Sequence, residues 1–305
     1  MILPTQVTAY LEAVRRMANR RRPDIVSILM CGSYAIGGYA QSGSDVDLLV
    51  VLADRVPRDI KNVIAAELAA LEITHGLRER PTSRLRHFYS VCDRRIGGFK
   101  SVTMCSKRDL LSANAAAVFQ VSALAESLLI STHIFCFATI MTSAQMIWGE
   151  DVRSRTPLPA ITGRHLTKNC ISHLLRNACV LLGYLILPNA TKYSMSILRG
   201  FLHDCYYTCT SRVASIEEEI DFFQARLGKH GAFEQLRSLR REYRASPAFI
   251  VSCFGALVRM HSMAVRERRL RPTGVTVAAA PPSCGAYIPL RREQSIPPRD
   301  PEAFS

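Results

Sequence analysis

Two aspartates, Asp45 and Asp47, stand one residue apart immediately before the apolar run LLVVL. Side chains on a strand alternate between its two faces, so both carboxylates are predicted to share one face while Val46 points into the core. A solvated strand end fits this pair poorly, because the run that follows reads as buried on both faces. Carboxylates beside buried residues cost free energy unless their charge is matched, and Mg²⁺, which prefers carboxylates, waters and substrate phosphates, would match it.

A turn, Gly32-Ser33, ends the apolar segment DIVSILMC that precedes the acidic pair. Glycine lets a ligand approach the backbone, and Ser33 offers a hydroxyl and an N–H at the same point. A helix beginning there would add free amides that face a phosphate; the alternative is that Ser33 only caps that helix. Two Mg²⁺ ions about 3.5–4 Å apart, held by the carboxylates, would clamp the attacking and leaving oxygens of a phosphoryl displacement.

The stretch GSYAIGGYAQSGSDVDLLVV, which begins at Gly32, resembles the DNA polymerase β-type nucleotidyltransferases. Within that superfamily it is most similar to the aminoglycoside adenylyltransferases and the minimal nucleotidyltransferases, with a loop about one residue longer than in the commonest members. The resemblance implies that Gly32, Ser33 and Ser44 bind the nucleotide. It also implies that Asp45 and Asp47 are catalytic and hold Mg²⁺.

A third carboxylate, which this family usually supplies from a later strand, does not stand at its expected position. The matching segment is GGFKSVTMCSKRDL, where the position falls on Lys100 or Ser101. Asp93, at the end of the neighbouring predicted strand, is a candidate catalytic replacement, although turn chemistry favours it as the start of the turn DRRIGG. Glu79 is a further candidate. Without any replacement, the second metal ion would bind weakly and the site could act as a nucleotide sensor.

The elements that must position these residues form a mixed α/β unit in residues 1–110. Residues 5–20 have the pattern of a helix, and DIVSILMCGS and SDVDLLVVLAD read as strands. Pro57 opens a helix to about residue 75, with Val63, Leu68 and Leu71 on its inner face. The segments LRHFYSVCD and FKSVTMCSK are predicted to add two strands.

Beyond residue 110 the strand patterns end, and residues 111–270 are predicted to form a helical domain. The predicted helices cover residues 112–128, 133–148, 164–187, 193–211, 215–228, 230–244 and 247–270. The tail, residues 271–305, holds seven of the fifteen prolines and is expected to be disordered or loosely docked. The predicted fold class is therefore α+β: a small mixed-sheet nucleotidyltransferase domain followed by an α-helical bundle.

Lys192 lies at the predicted start of one of these helices. Relatives often place a lysine of the second domain on the nucleotide phosphates, so the resemblance makes Lys192 a candidate nucleotide-binding residue. An exposed lysine at a helix start is the ordinary alternative. His173 and Arg176 share one turn of the preceding predicted helix.

Charge and cysteine content bear on the partners and the compartment. The formal net charge is +14; residues 1–150 carry 17 Lys/Arg and 13 Asp/Glu, whereas residues 151–305 carry 22 and 12. A basic second half suits NTP phosphates, RNA or an anionic protein surface, or is a solvated face without such a partner.

The ten cysteines have irregular spacing, which argues against a zinc site and favours a reducing compartment, expected to be the cytoplasm. No membrane partner is expected.

These features predict an Mg²⁺-dependent nucleotidyltransferase that moves a nucleoside monophosphate, most simply AMP from ATP, onto an acceptor hydroxyl. A small molecule such as an aminoglycoside fits the resemblance. An RNA end, such as that of a tRNA, fits the basic second half, and a protein hydroxyl is a third option. A catalytically degenerate nucleotide-binding module is the alternative from another class.

Overall fold

The computed structural model describes residues 3–37, 46–77, 101–122, 131–187 and 189–270. Within them the first half contains helix α1 (Thr5–Arg20), strand β1 (Ile25–Cys31), short helix α2 (Gly32–Ile36), strand β2 (Asp47–Leu52), helix α3 (Arg58–Thr74) and strand β3 (Val102–Ser106). Short helices α4 (Lys107–Leu111) and α5 (Ala115–Val118), helix α6 (Thr132–Ser143) and strand β4 (Gln145–Gly149) follow.

The four strands form one mixed sheet in the order β3-β2-β1-β4. Strand β1 is antiparallel to both β2 and β4, whereas β2 and β3 are parallel. The two central strands are apolar on both faces because helices cover both faces. Leu48, Val50 and Leu52 pack with α1 and α3 on one side, and Leu49 and Val51 pack with α6 on the other.

The second half is a helical bundle, which consists of α7 (Gly163–Leu182), α8 (Ala190–Thr210), α9 (Ile216–Leu227), α10 (Gly231–Arg241) and α11 (Pro247–Leu270). Aromatic side chains fill its core, among them Phe201, Phe223, Phe233 and Phe249, each with no exposed surface. Ser215 begins α9 as predicted for a helix start, since its hydroxyl accepts a hydrogen bond from the Glu218 N–H. The predicted α+β fold class is confirmed.

Helix α6 joins the two halves. Its Phe135 belongs to the core of the bundle, whereas Phe137 and Met141 belong to the core between the sheet and its covering helices. The Thr142 hydroxyl also lies 3.3 Å from the Tyr207 hydroxyl on α8. Two apolar faces on one helix thus hold the sheet and the bundle together.

Helix α11 is long and apolar enough to cross a membrane, judged by length and composition alone. In the structure one side of it is a core element of the bundle, where Phe249, Ile250, Cys253 and Leu257 are fully buried. Packing against neighbouring helices accounts for this buried side, whereas Val251 and Val258 on the other side are 56% and 49% exposed.

Two predicted segments differ from the structure. The helix predicted over residues 133–148 ends at Ser143, and Gln145–Gly149 instead form β4 at the edge of the sheet, where pairing with β1 outweighs the local helical pattern. The helix predicted over 112–128 is wrong in its described part, because Ala113 and Gln120 adopt positive φ angles of 53° and 55° and only Ala115–Val118 is helical between them.

Smaller differences concern α3 and the domain limits. Val63 was placed on the inner face of α3 but is 43% exposed, while Ile64 beside it is fully buried. The domain boundary at residue 110 stays a prediction, although β4 adds a strand to the sheet from beyond it. The predicted strand LRHFYSVCD and the tail 271–305 lie outside the described residues.

Gly149 tests the pairing of β4. It has a φ of +90°, and a Cβ there would lie 2.1 Å from the carbonyl oxygen of Val26. We expect Gly149→Ala to lower the free energy of unfolding by about 2 kcal/mol, measured by urea denaturation, because both the backbone conformation and the close approach oppose a side chain.

Gly163→Ala is the matched control, since Gly163 begins α7 and a Cβ there meets nothing within 4 Å. Its urea midpoint should stay close to that of the parent protein. Equal midpoints for the two variants would contradict this account of the edge strand.

Candidate active site

Asp47 lies beside the Gly32-Ser33 turn, as predicted. The register of the sheet pairs Asp47 with Cys31, the residue before the turn. The contact is close: a Cβ on Gly32 would lie 2.2 Å from Asp47 Oδ2. Gly32 also has a φ of +69°, so both its conformation and its contact with the carboxylate require a residue without a side chain.

The turn is also the start of a helix, because α2 begins at Gly32 directly after β1. Tyr34 and Ala35 anchor α2 by burial, and the Gln145 side chain on β4 donates a 2.6 Å hydrogen bond to the Ala35 carbonyl. Gly32 itself is exposed and Ser33 is half-buried. Buried contacts therefore hold α2 against the protein, while Gly32 at the turn is exposed and can be approached by a ligand.

The orientation of Asp47 follows from its neighbours on β2. Val46 is 3% exposed and packs with Leu48 on the side of α1 and α3, so the prediction that Val46 points into the core is confirmed. Cys31, opposite Asp47, packs with Leu49 on the other side, beneath α6. The carboxylate of Asp47 thus lies at the end of the sheet face that turns toward the bundle.

The junction between sheet and bundle gathers further charge around Cys136 on α6. The pKa of the Cys136 thiol is raised well above its ordinary value, first by burial and then by the negative charges of Asp204 and Asp47, while Arg176 opposes the rise. Burial, with Asp47 as the second cause, likewise raises the pKa of Cys31. The charges of Asp47 from the sheet and of Asp204 from the bundle thus both act on the Cys136 thiol of α6.

A buried polar network on the bundle side holds Asp204. Asn169 donates a 2.6 Å hydrogen bond to Asp204 Oδ2 and accepts one of 2.7 Å from the Thr132 hydroxyl. His173 Nε2 lies 3.8 Å from the same Asp204 oxygen. Burial lowers the pKa values of His173 and Arg176, and the charge of Asp204 opposes both shifts.

Sequence reasoning did not identify Asn169 or Asp204. A signal did exist, since Asn169, His173 and Arg176 follow a spacing of four and three residues and so share one stripe of an otherwise apolar helix. The pairing with Asp204 on α8 depends on how two distant helices pack, which no local pattern contains.

Lys192 lies at the start of α8, where its Nζ stands 4.9 Å from the centre of the Tyr243 ring. Asp204 is twelve residues further along the same helix, about 18 Å along its axis. The structure therefore places Lys192 at the opposite end of α8 from the sheet junction, and its role in nucleotide binding stays a prediction.

The later strand departs from the family pattern in the way the sequence indicates. Ser101 precedes β3, and its hydroxyl donates a 2.6 Å hydrogen bond to Glu72 on α3.

Several residues of the predicted site lie outside the described ones: Ser44, Asp45, Glu79, Asp93 and Lys100. Among the residues that the structure does describe, no three His, Cys, Asp or Glu side chains cluster as a metal site would require.

Comparison with known proteins agrees with this geometry. Residues 11–86, which contain the turn and β2, match the family model of the nucleotidyltransferase domain. The chain therefore carries a nucleotidyltransferase domain, and the protein is a nucleotidyltransferase.

Among solved structures, the chain is similar to the spectinomycin adenyltransferase AAD(9) from Enterococcus faecialis, solved with ATP and spectinomycin. The TM-score is 0.53 at 10% sequence identity, and the match covers 83% of this chain and 98% of that one. At this identity the likeness establishes the fold. No curated protein sequence matches the chain.

Gly32→Ala tests the contact between the turn and the carboxylate. The added methyl group occupies the position of Asp47 Oδ2, so we expect nucleotidyl transfer to fall about 100-fold because the carboxylate is displaced. The measurement is release of pyrophosphate from ATP in the presence of acceptor.

Gly231→Ala is the matched control, since this glycine begins α10 and has open space around its Cβ position. It should leave transfer unchanged. Full activity of Gly32→Ala, with the protein folded, would show that Asp47 does not need its observed position.

Proposed function

We propose that this nucleotidyltransferase moves AMP from ATP onto a hydroxyl group of a small cationic acceptor, such as an aminoglycoside, and releases pyrophosphate. The observation that carries the proposal is the packing of the Asp47 carboxylate against the exposed glycine of the Gly32-Ser33 turn. That arrangement sets a hard anionic ligand beside a backbone that a triphosphate can approach.

The residues at the turn fit Mg²⁺. The carboxylate of Asp47 is an oxygen donor of the kind this ion prefers. Because Gly32 has no side chain, no Cβ crowds this carboxylate at the turn. Asp47, together with Asp45 as the sequence predicts, would hold the ion. When bound, Mg²⁺ would neutralise charge on the phosphates as pyrophosphate leaves.

The chain's own groups position the reactants. The hydroxyl and N–H of Ser33 are available to phosphate oxygens at the exposed turn, and Arg176 brings a guanidinium, which suits phosphate recognition, to the junction around Cys136. Phosphoryl transfer asks the protein mainly for such positioning and for electrostatic stabilisation. The acceptor oxygen attacks the α-phosphorus in line with the bond to the departing pyrophosphate.

The charge of the junction favours a cationic acceptor. Asp47 on the sheet and Asp204 on the bundle both contribute negative charge at Cys136 of α6. Amino groups of an aminoglycoside would be attracted to this region, although the whole chain has a formal net charge of +14. The likeness to a spectinomycin adenyltransferase supports the same class of acceptor.

We also infer a reducing, cytoplasmic location. The cysteines in the described parts of the chain are free thiols, and most of them are buried among apolar side chains.

Asp47→Asn tests the proposed chemistry. The amide keeps the size of the side chain but loses its charge, so we expect transfer from labelled ATP in the presence of Mg²⁺ to fall at least about 1,000-fold with the fold intact. Asp59→Asn is the control, because Asp59 is an exposed aspartate in the first turn of α3. Activity of Asp47→Asn equal to that of Asp59→Asn would reject the site.

RNA is the second candidate acceptor, which the basic second half of the chain favours. The two classes differ in their response to salt, because binding of a polyanion releases many counterions, whereas salt only modestly screens the attraction between a small cation and a few carboxylates. We expect the KM for an aminoglycoside acceptor to change less than about tenfold between 50 and 200 mM KCl. A steep loss of transfer to RNA over this range, with no labelled small molecule formed, would favour the RNA reading.

A further inference from the structure

The connection between α7 and α8 carries three strongly exposed apolar side chains. Leu182 is 85% exposed, Leu185 93% and Ile186 82%, more than any other large apolar residue in the described parts of the chain. Leu175, two turns earlier on α7, is 49% exposed, so the apolar surface extends back along the helix. Exposed apolar groups gathered in this way mark a contact site on a soluble protein. We call Leu182, Leu185 and Ile186 the apolar tip.

Backbone hydrogen bonds fix the conformation of the apolar tip. The Ile186 N–H donates a 2.9 Å hydrogen bond to the Gly183 carbonyl, and the Leu187 N–H donates one of 2.7 Å to the same oxygen. These bonds continue a helical path beyond the end of α7, so tip residues spaced three and four apart lie on one side. Leu187 packs instead against the core of the bundle. The outward position of the tip is therefore set by the fold.

Two tyrosines lie beside the apolar tip. Tyr184 belongs to its turn, between Gly183 and Leu185. Burial, and then the nearby Tyr184, raise the pKa of Tyr243, which is 42% exposed, so Tyr243 lies near this turn. A tyrosine combines an apolar ring with a polar hydroxyl and is enriched where hydrocarbon meets water.

Positive charge lies at the same end of the bundle. The Lys192 Nζ stands 4.9 Å from the centre of the Tyr243 ring. Arg241 and Arg244 lie on either side of this tyrosine in the chain, and both are exposed. Glu242 is exposed between them, so three cations stand against one carboxylate in Lys192 and segment 241–244. We call Lys192, Arg241 and Arg244 the basic rim.

The apolar tip and the basic rim lie at the end of the bundle away from the sheet. Thr191, at the start of α8, accepts a 2.9 Å hydrogen bond from the Ser246 N–H directly before α11, which brings the two helix starts together. Asp204, at the junction with the sheet, is about 18 Å further along α8. A surface that covers this end therefore leaves the junction uncovered.

Charge distinguishes the occupants that this surface can take. A second copy of the chain would bring one basic rim toward another, because a two-fold contact places the same patch on both partners. An anionic lipid surface instead attracts cations and accepts apolar side chains below its headgroups. Long basic side chains reach the headgroups while neighbouring apolar groups insert, so the tip and the rim suit a lipid surface together.

We propose that this end of the bundle binds reversibly to an anionic membrane surface, with the apolar tip inserted below the headgroups and the basic rim on the phosphates. A few apolar side chains and cations give peripheral binding and not a membrane span. The proposal goes beyond nucleotidyl transfer and does not depend on it. It revises the expectation of no membrane partner, because only the fold shows which residues of LLGYLIL face outward.

The test is sedimentation of the full chain and its variants with lipid vesicles. We expect the parent protein to bind vesicles of phosphatidylcholine with about 30% phosphatidylglycerol at least about tenfold more tightly than vesicles of phosphatidylcholine alone. Leu185→Ser combined with Ile186→Ser should weaken binding to the anionic vesicles at least about tenfold, because two apolar side chains no longer leave water. Both positions are exposed, so the urea midpoint should stay near that of the parent.

Val63→Ser combined with Leu158→Ser is the matched control for the apolar tip. This variant removes two exposed apolar side chains from elsewhere on the surface, since Val63 is 43% and Leu158 38% exposed. Binding to the anionic vesicles should stay within about twofold of that of the parent.

The basic rim is tested by a pair of variants with equal net charge. Arg241→Gln combined with Arg244→Gln should weaken binding to the anionic vesicles about tenfold. Arg16→Gln combined with Arg20→Gln removes the same charge from exposed positions of α1 and should weaken binding less than about threefold, because distant charges are screened.

Four results would overturn the proposal. The first two are a parent protein that does not bind the anionic vesicles and a tip variant that binds them as tightly as the parent. Light scattering that shows a dimer of the parent and a monomer of the tip variant, without vesicle binding, would assign the tip to a second copy. Binding that appears only after removal of residues 271–305 would assign the surface of the full chain to its own tail.

Discussion

The contact between Gly32 and Asp47 is the constraint on which the site depends. A carboxylate at the first position of β2 has room only because Gly32, which follows its partner Cys31 and begins α2, has no side chain and adopts a positive φ. Burial of Tyr34 and Ala35 fixes α2, and pairing with Cys31 fixes Asp47. The conformation of the Gly32-Ser33 turn and the position of the Asp47 carboxylate therefore depend on each other within the β1–α2–β2 unit.

The sequence predicts this unit well, because its information is local. Apolar runs on both faces mark β1 and β2 as central strands, and the positions of Gly32, Ser33 and Asp47 follow from a short motif. Strand β4 was not predicted, since Gln145–Gly149 form a strand only because the edge of β1 is available for pairing. A local pattern cannot reveal an edge that distant residues create.

The same limit applies to the buried polar groups. Glu72 meets Ser101 across 29 residues, and Asn169 meets Asp204 across 35. Glu72, Asn169 and Asp204 each interrupt an apolar stripe of a helix, so the sequence could mark them as unusual. Only the packing of α3 on the sheet and of α7 on α8 identifies its partner, and with it the reason why a polar group is tolerated there.

Helix α6 has a consequence for how the protein folds and how it can diversify. Because Phe135 is counted in the bundle core and Phe137 in the sheet core, neither half has a complete interior without the same twelve-residue helix. Loss of one half exposes apolar surface of the other, which favours a single cooperative unfolding transition over two separate ones. Recombination that exchanges either half for that of another protein must therefore retain α6 and both of its interfaces.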